Sequence, residues 1–343
     1  MFTARLISIL ALSLSSTAAL AGPTICVWDP IGKGGQIFDA VKNFALAAQS
    51  KGVEITLKAF TDEKVAADEF RVGQCDGLMA TSIRTRSYNN FTVALDHGGA
   101  ATIVRDGKID MDASYKVIQK AMQVLAAPGA DKLNVQDRFE VVGILPTGAL
   151  YTMVRDKQVF KKGFAGVRMP AFDNDPVQAF LIARAGATPV AVNIRNFVSM
   201  FNNGNVDVVF APAVAYQPLE IHKGVGTKGG VSRFPLAFTS LQLVIDRAKF
   251  PAGFGEKSRQ FWVDQFDEVA KAVRKAESSI PPQTWVDFDA AEAAAFVAQQ
   301  RETRVELGKR GEYNKQALKF MKRVRCSVHP GATDCATTAE IDW

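Results

Sequence analysis

Two stretches of this 343-residue chain run through the same order of elements, and that repetition limits the folds open to it. In the first, Thr24 to Trp28 and Val53 to Phe60 read as strands, and Ile37 to Ala48 and Glu63 to Arg71 have helical spacing. Gly73 is placed to end the second helix, and Asp76 to Ala80 is the next strand. In the second, strands Gly166 to Met169, Pro189 to Val192 and Val206 to Phe210 alternate with helices Pro176 to Ala185 and Ile194 to Asn202. Asp175 can cap the first of these helices, Pro176 suits its first turn and Gly204 ends the second. Strand–helix–strand–helix–strand order implies a parallel sheet.

The two units also share a local pattern. "FRVGQCDGLMA" and "FNNGNVDVVFA" both fit F-x2-G-x2-D-x3-A, and the turns "VWDP" and "DNDP" follow similar logic. We expect an α/β protein of two lobes, each a mostly parallel sheet flanked by helices. Residues 138–156 and 232–250 are long extended runs rich in branched and aromatic residues, and read as crossover strands between the lobes. Helical spacing then covers about 255–279 and 289–320. The expected division is lobe one at 22–145 plus about 240–262, lobe two at 146–239, and a helical C-terminal segment at 263–343 that packs across the lobes.

The first 21 residues carry one cation, Arg5, an apolar run from Leu6 to Leu14, and the ending Ala19-Leu20-Ala21. This describes a secretory signal peptide cleaved after Ala21, too short in its apolar core to span a membrane. The expected location is therefore the periplasm. The four cysteines fit structural disulfides in an exported chain. Of the three possible pairings, the close spacing of Cys326 and Cys335 favours a terminal clip, which leaves Cys26 with Cys75. If the first strand lies between the second and third, those two sit on neighbouring strands. With no CxxC and three histidines, no metal site is expected. Residues 301–326 hold nine Lys or Arg and three Glu. In an exported chain this reads as a solvated helix face, with anionic lipid or a membrane partner as the other reading, and no nucleic acid.

The glycine-rich "IGKGGQ" after the first strand matches neither G-x4-G-K-[ST] nor G-x-G-x-x-G, so it is not a nucleotide loop and no cofactor is expected. Ligands of open α/β sheets bind beyond the carboxyl ends of the strands, near helix N-termini. By that rule Trp28 and Asp29 end the first strand, and Thr81 and Ser82 follow the third, with Arg84 and Arg86 just beyond. Phe172 lies in the "PAFDND" loop of the second unit. Gln242 lies on the second crossover run. Arg168 is a permanent cation near a strand end, suited to fork a carboxylate.

Residues 164–212, "FAGVRMPAFDNDPVQAFLIARAGATPVAVNIRNFVSMFNNGNVDVVFAP", resemble the second lobe of the periplasmic solute-binding proteins of TRAP-type transporters, and residues 52–80 are similar to their first lobe. "ICVWDPIGKGG", "FNNG-x-VD" and "PAVAYQPLE" are more similar still to an uncharacterised exported branch of solute-binding proteins. The resemblance implies a type II-like binding-protein fold. It also implies that Arg168 holds a substrate carboxylate, while the position of the family's asparagine partner holds Ala211. Phe210 and Tyr216 then suggest a ligand larger or more apolar than a simple C4 acid.

No G-x-S-x-G or H-E-x-x-H is present, and the cysteines serve as bridges, so no enzyme is expected. The reading is a monomeric extracytoplasmic protein that closes on a small carboxylate-bearing ligand and delivers it to membrane transporter subunits. The alternative is an envelope accessory protein that binds an apolar, lipid-like molecule or a membrane complex.

Overall fold

The computed structural model of the chain describes residues 22–173 and 175–342. The expected signal peptide lies outside the described residues. In chain order the main elements are β1 (Thr24–Trp28), α1 (Gln36–Gln49), β2 (Thr56–Phe60), α2 (Glu63–Arg71), β3 (Gly77–Thr81), α3 (Met111–Ala126) and β4 (Phe139–Val154). Then come β5 (Arg168–Phe172), α4 (Pro176–Arg184), β6 (Thr188–Val192), α5 (Phe197–Asn202), β7 (Val208–Pro212) and β8 (Ala237–Asp246). The chain ends with α6 (Phe254–Asp264), α7 (Phe266–Ser279), α8 (Ala290–Lys309) and α9 (Lys315–Val328).

In lobe one, β1 lies between β2 and β3 and is parallel to both. This order brings Cys26 and Cys75 to a Cα separation of 5.7 Å, and they are bridged. Ile25, Cys26 and Val27 are fully buried, as a strand covered on both faces requires. The crossover strand β8 joins the other side of β3 antiparallel, and β4 joins β8 antiparallel. The sheet therefore runs without a break from lobe one into the connection between lobes.

Lobe two departs from a repeat of lobe one. β5 and β6 form a separate parallel pair, while β7 pairs antiparallel with the far end of β4. The 16-residue β4 is long enough to serve both lobes. At the middle of the crossover the ladder slips between Thr239 and Ser240, opposite Pro146 and Gly148. Gly148 has φ +107°, and a Cβ there would lie 2.5 Å from Val273. Thr147 and Thr239 share a hydroxyl hydrogen bond of 2.8 Å across this slip. The ladder slips again between Leu243 and Val244, but only the first slip carries a positive-φ glycine, which makes it a bendable point.

The sequence reading did not identify α3. Its signal was present: Asp110 accepts from Ala113 N at 2.9 Å, and Val117, Ile118, Ala121, Met122 and Leu125 form one buried stripe. The helical tail breaks at Gln265 and again at Gly311, where φ is +78° and Asn314 caps the next helix.

The basic tail is not simply a solvated face. Arg304, Lys322 and Arg325 are buried. Arg304 Nε donates to Glu340 at 2.6 Å, and Arg325 donates to Asp334 at 2.7 Å and Glu340 at 3.0 Å. Lys322 Nζ donates to the carbonyls of Thr337 and Ala339. Much of the positive charge therefore folds the last residues back onto α8 and α9. Arg304 and Arg325 also donate to the Gly98 and Ala100 carbonyls of lobe one. The tail touches lobe two as well, through Arg184 with Glu306 and Arg310 over the Phe180 ring at 4.2 Å.

Candidate functional site

The opening loop places a carboxylate where a phosphate would have to sit. Asp29, 2% exposed, accepts from Ile31 N at 2.8 Å, Ile37 N at 2.9 Å and Phe38 N at 3.0 Å. The unpaired N–H groups that begin α1 are thus satisfied from within the chain. A Cβ on Gly35 would lie 2.0 Å from Asp29 Oδ1, which explains a glycine there. Asp29 holds the loop in shape, its two oxygens serving three backbone donors.

Beyond β3 a polar network forms behind the strand ends. Glu63 accepts from Thr81 N at 2.8 Å and from Arg84 Nε at 3.3 Å. Ser82, 1% exposed, donates to Asp96 at 2.6 Å, and Asp96 also accepts from Ser240 N at 2.7 Å and Ser240 Oγ at 2.8 Å. Burial pushes the Asp96 carboxyl up to about 7. Gln242, completely buried, accepts from Thr85 and Thr92, while its Nε2 has no partner among the described residues. Ser82 and Gln242 therefore belong to the packed layer that supports the cleft wall, and Ser240 ties that layer to the slip in β8.

Next to Asp96, His97 stacks on Tyr313 with ring centroids 3.5 Å apart and planes 7° from parallel. Burial, with the fields of Arg86 and Arg304, pushes His97 down to about 3, so the ring is neutral. Arg86 reaches from lobe one to Asp175 of lobe two at 3.7 Å. Burial raises the Asp175 carboxyl above the usual range. A second pair crosses nearby, Arg195 of lobe two to Asp62 of lobe one at 3.3 Å. Both acids are helix N-caps, Asp175 for α4 and Asp62 for α2.

Of the residues expected at the cleft, Trp28, Thr81, Phe172 and Phe210 lie at or near the carboxyl ends of β1, β3, β5 and β7. Trp28 is 6% exposed, and its Nε1 has no partner among the described residues. Phe172 packs on Phe197 at 5.5 Å. Arg84 stays beside the strand end but is engaged by Glu63.

Two residues sit differently from the expected placement. Arg168 is expected near a strand end, free to fork a carboxylate. It is instead the first residue of β5, exposed, with Nε on Asp207 at 3.0 Å and Nη2 on the other oxygen at 2.5 Å. Its fork is already filled, at the opposite end of the strand from where ligands bind in such sheets. Tyr216 is 3% exposed and packs in the core, because the turn after β7 folds inward. Sequence reasoning missed Asp96, His97 and Tyr313, which lie outside the alternating elements, and it gave no reason to pair Arg86 with Asp175.

A cavity of about 540 Å³ lies by Arg105, Asp110 and Arg274, away from these residues. The group Cys326, Asp334 and Cys335 could suggest a metal site, but both sulfurs form a disulfide. No described helix is long and apolar enough to cross a membrane.

Comparison with known proteins fits this architecture. Residues 43–340 match the family model described as solute-binding protein AdeT 1/2. The chain is 36% identical to the "Probable solute-binding protein AdeT1" of Acinetobacter baumannii, over 92% of this chain and 100% of that protein. It is 27% identical to the "Probable solute-binding protein AdeT2" of the same organism, over 66% and 96%. Among solved structures it resembles a TRAP periplasmic solute-binding protein of Shewanella oneidensis with bound succinate. There the TM-score is 0.67 and identity 11%, over 89% of this chain and 100% of that one. A TRAP periplasmic solute-binding protein of Ralstonia eutropha with bound (S)-2-acetolactate gives a TM-score of 0.67 and 13% identity, over 90% and 98%. The fold is thus the two-lobed TRAP type, and family and fold are those of a non-enzymatic class. The chain belongs to the AdeT 1/2 family of solute-binding proteins.

Proposed function

We propose that this chain is exported to the periplasm, closes its two lobes on a small organic solute, and delivers that solute to a membrane transporter. The observation that carries the reading is that two ion pairs, Arg86–Asp175 and Arg195–Asp62, join elements of the two lobes, each at the N-cap of a helix that follows a strand. A ligand that touches both lobes favours the closed state by its contacts with each, and the slip at Gly148 and Ser240 supplies the hinge. Trp28, Thr81, Phe172 and Phe210 form its walls. Disulfides at both ends of the chain and the apolar leader support export.

A carboxylate-bearing solute is the favoured class, since proteins of this fold hold succinate and (S)-2-acetolactate. One observation favours the alternative, an accessory protein that binds an apolar molecule. The ends of β5 and β7, Pro170-Ala171-Phe172 and Phe210-Ala211-Pro212, carry no charge.

The test is a thermal-shift screen of the protein after unfolding and refolding to strip carried ligand. The panel holds succinate, pyroglutamate, orotate, their neutral amides and apolar metabolites. A ligand at about 100 times its Kd should stabilise by about 2.7 kcal/mol. A shift with carboxylates but not their amides supports the reading. Shifts with apolar compounds alone would transfer it to the accessory class, and no shift with any class would overturn solute binding.

A further inference from the structure

We propose that Arg86 is the carboxylate anchor of the cleft, and that Asp175 is a built-in competitor that holds this guanidinium until a ligand displaces it. The inference rests on the solute-binding reading and adds the residue that selects charge.

Four arginines lie near the cleft or in its lobe-two strands, each with an acid of the chain's own. Arg84 donates to Glu63 at 3.3 Å, Arg195 to Asp62 at 3.3 Å, and Arg168 forks Asp207. Arg86 differs: its nearest approach to Asp175, 3.7 Å, is an ion pair too long for a hydrogen bond. The charges attract without directing the N–H groups of the guanidinium at the acid. Those donors suit the two parallel hydrogen bonds of a carboxylate. Arg86 is also one of the two that pair across the lobes at a lobe-two helix or loop, so a ligand on it meets the second lobe at once.

The surroundings fit one anionic group. His97 and Tyr313 stack beside Arg86, and the imidazole is held neutral, so it adds no second cation. His97 Nε2, on a residue 7% exposed, has no partner among the described residues and can bond a polar atom of the ligand. Asp175 keeps a role when displaced, because Gln178 N donates to it at 3.2 Å as the cap of α4. The solute class that follows is a compact monocarboxylate with a hydrogen-bonding body. A dicarboxylate would bring one charge more than the anchor can match.

The experiment measures lobe separation and binding in the same variants. Nitroxide labels at Lys51→Cys in lobe one and Asn203→Cys in lobe two report the distance between lobes by pulsed electron resonance. Without ligand, Asp175→Asn and Arg86→Gln should both lengthen that distance. Lactate, pyroglutamate and succinate, each against its amide, are then titrated calorimetrically. Asp175→Asn should bind the preferred monocarboxylate about tenfold tighter, since the competitor is neutral, and Arg86→Gln should bind it at least about thirtyfold more weakly. Carboxylate binding that survives Arg86→Gln within threefold would overturn the anchor and leave solute binding intact. An unchanged lobe distance in Asp175→Asn, with unchanged affinity, would overturn the competitor. If no carboxylate binds even Asp175→Asn, the anchor falls, and binding of a neutral compound in the same panel would still uphold the solute-binding reading.

Discussion

Arg195 and Asp62, 133 positions apart in sequence, meet across the two lobes at 3.3 Å. The pair is the reciprocal of Arg86 and Asp175: in each, the N-cap carboxylate of one lobe's helix receives an arginine from the other lobe. A capping carboxylate is fixed by the backbone N–H groups it serves, so each arginine meets an acid already held in place. Asp62 accepts from Lys64 N at 2.9 Å and Val65 N at 3.3 Å.

Substitution at this pair should therefore be asymmetric. Asp62→Ala removes a helix cap and should lower stability by about 1 kcal/mol. Arg195→Ala removes only an exposed ion pair and should cost less than about 0.5 kcal/mol. Urea titration of both variants measures the difference, and equal losses would show that the cap contributes nothing.

The tail clamp should be among the most sensitive points of the molecule. Arg304 and Glu340 are 4% and 1% exposed in their side chains, and Arg325 shares the same carboxylate. Glu340→Ala leaves two buried guanidinium groups with Asp334, bonded to Arg325, as the one remaining acid of the clamp, and should cost about 3 to 5 kcal/mol. Guanidinium chloride unfolding of this variant against Glu302→Ala, on α8 with Arg304, would measure it. A loss below about 1 kcal/mol would mean that water reaches the cluster.

The two disulfides should differ in worth. Cys26–Cys75 closes a separation of 49 residues and Cys326–Cys335 one of 9. Loop entropy alone assigns them about 4 and about 2.6 kcal/mol. Paired cysteine-to-alanine variants should rank in that order by denaturant midpoint, and reversal would mean that the short bridge acts chiefly by holding the tail clamp together.

Stability against pH should reveal opposing neighbours. Asp96, raised to about 7 by burial, keeps in the folded state a proton that the unfolded chain releases near its ordinary 3.8. Its contribution is fully present below about 4 and is lost as pH rises towards 7. His97, lowered to about 3, gives the reverse, because the unfolded imidazole takes up a proton below 6.5. Stability from that source falls as pH drops from about 6.5 towards 3. Asp96→Asn should leave a protein that weakens on acidification, and His97→Gln one that strengthens. Denaturant midpoints between pH 4.5 and 7.5 measure both slopes, and identical slopes in the two variants would refute the assignment.

The alternating elements and the first disulfide were legible in the sequence because period, turn glycines and caps are local signals. The β7 pairing was not, since its strand looks like that of a parallel unit and only the length of β4 makes an antiparallel partner available. The buried Arg304, Lys322 and Arg325 looked solvated because their partners lie in the short tail beyond the helices, Asp334 and Glu340 for the arginines and the Thr337 and Ala339 carbonyls for Lys322. Arg168 illustrates the limit at the site. Its position relative to a strand end decides whether it meets a ligand, and a start displaced from Gly166 to Arg168 is within the ordinary uncertainty of such boundaries.

The clamp also sets an order of assembly. Arg304 and Arg325 grip the carbonyls of Gly98 and Ala100 across 206 and 225 positions, and this loop carries on directly from Asp96 and His97. Lobe one likewise lacks its β3 partner until residues 237–246 exist. A chain that stopped before Arg304 would keep every strand of both lobes yet leave this loop unfastened. The loop beside the polar layer of lobe one is thus fastened by side chains 206 and 225 positions downstream, on helices that contribute no strand to either lobe.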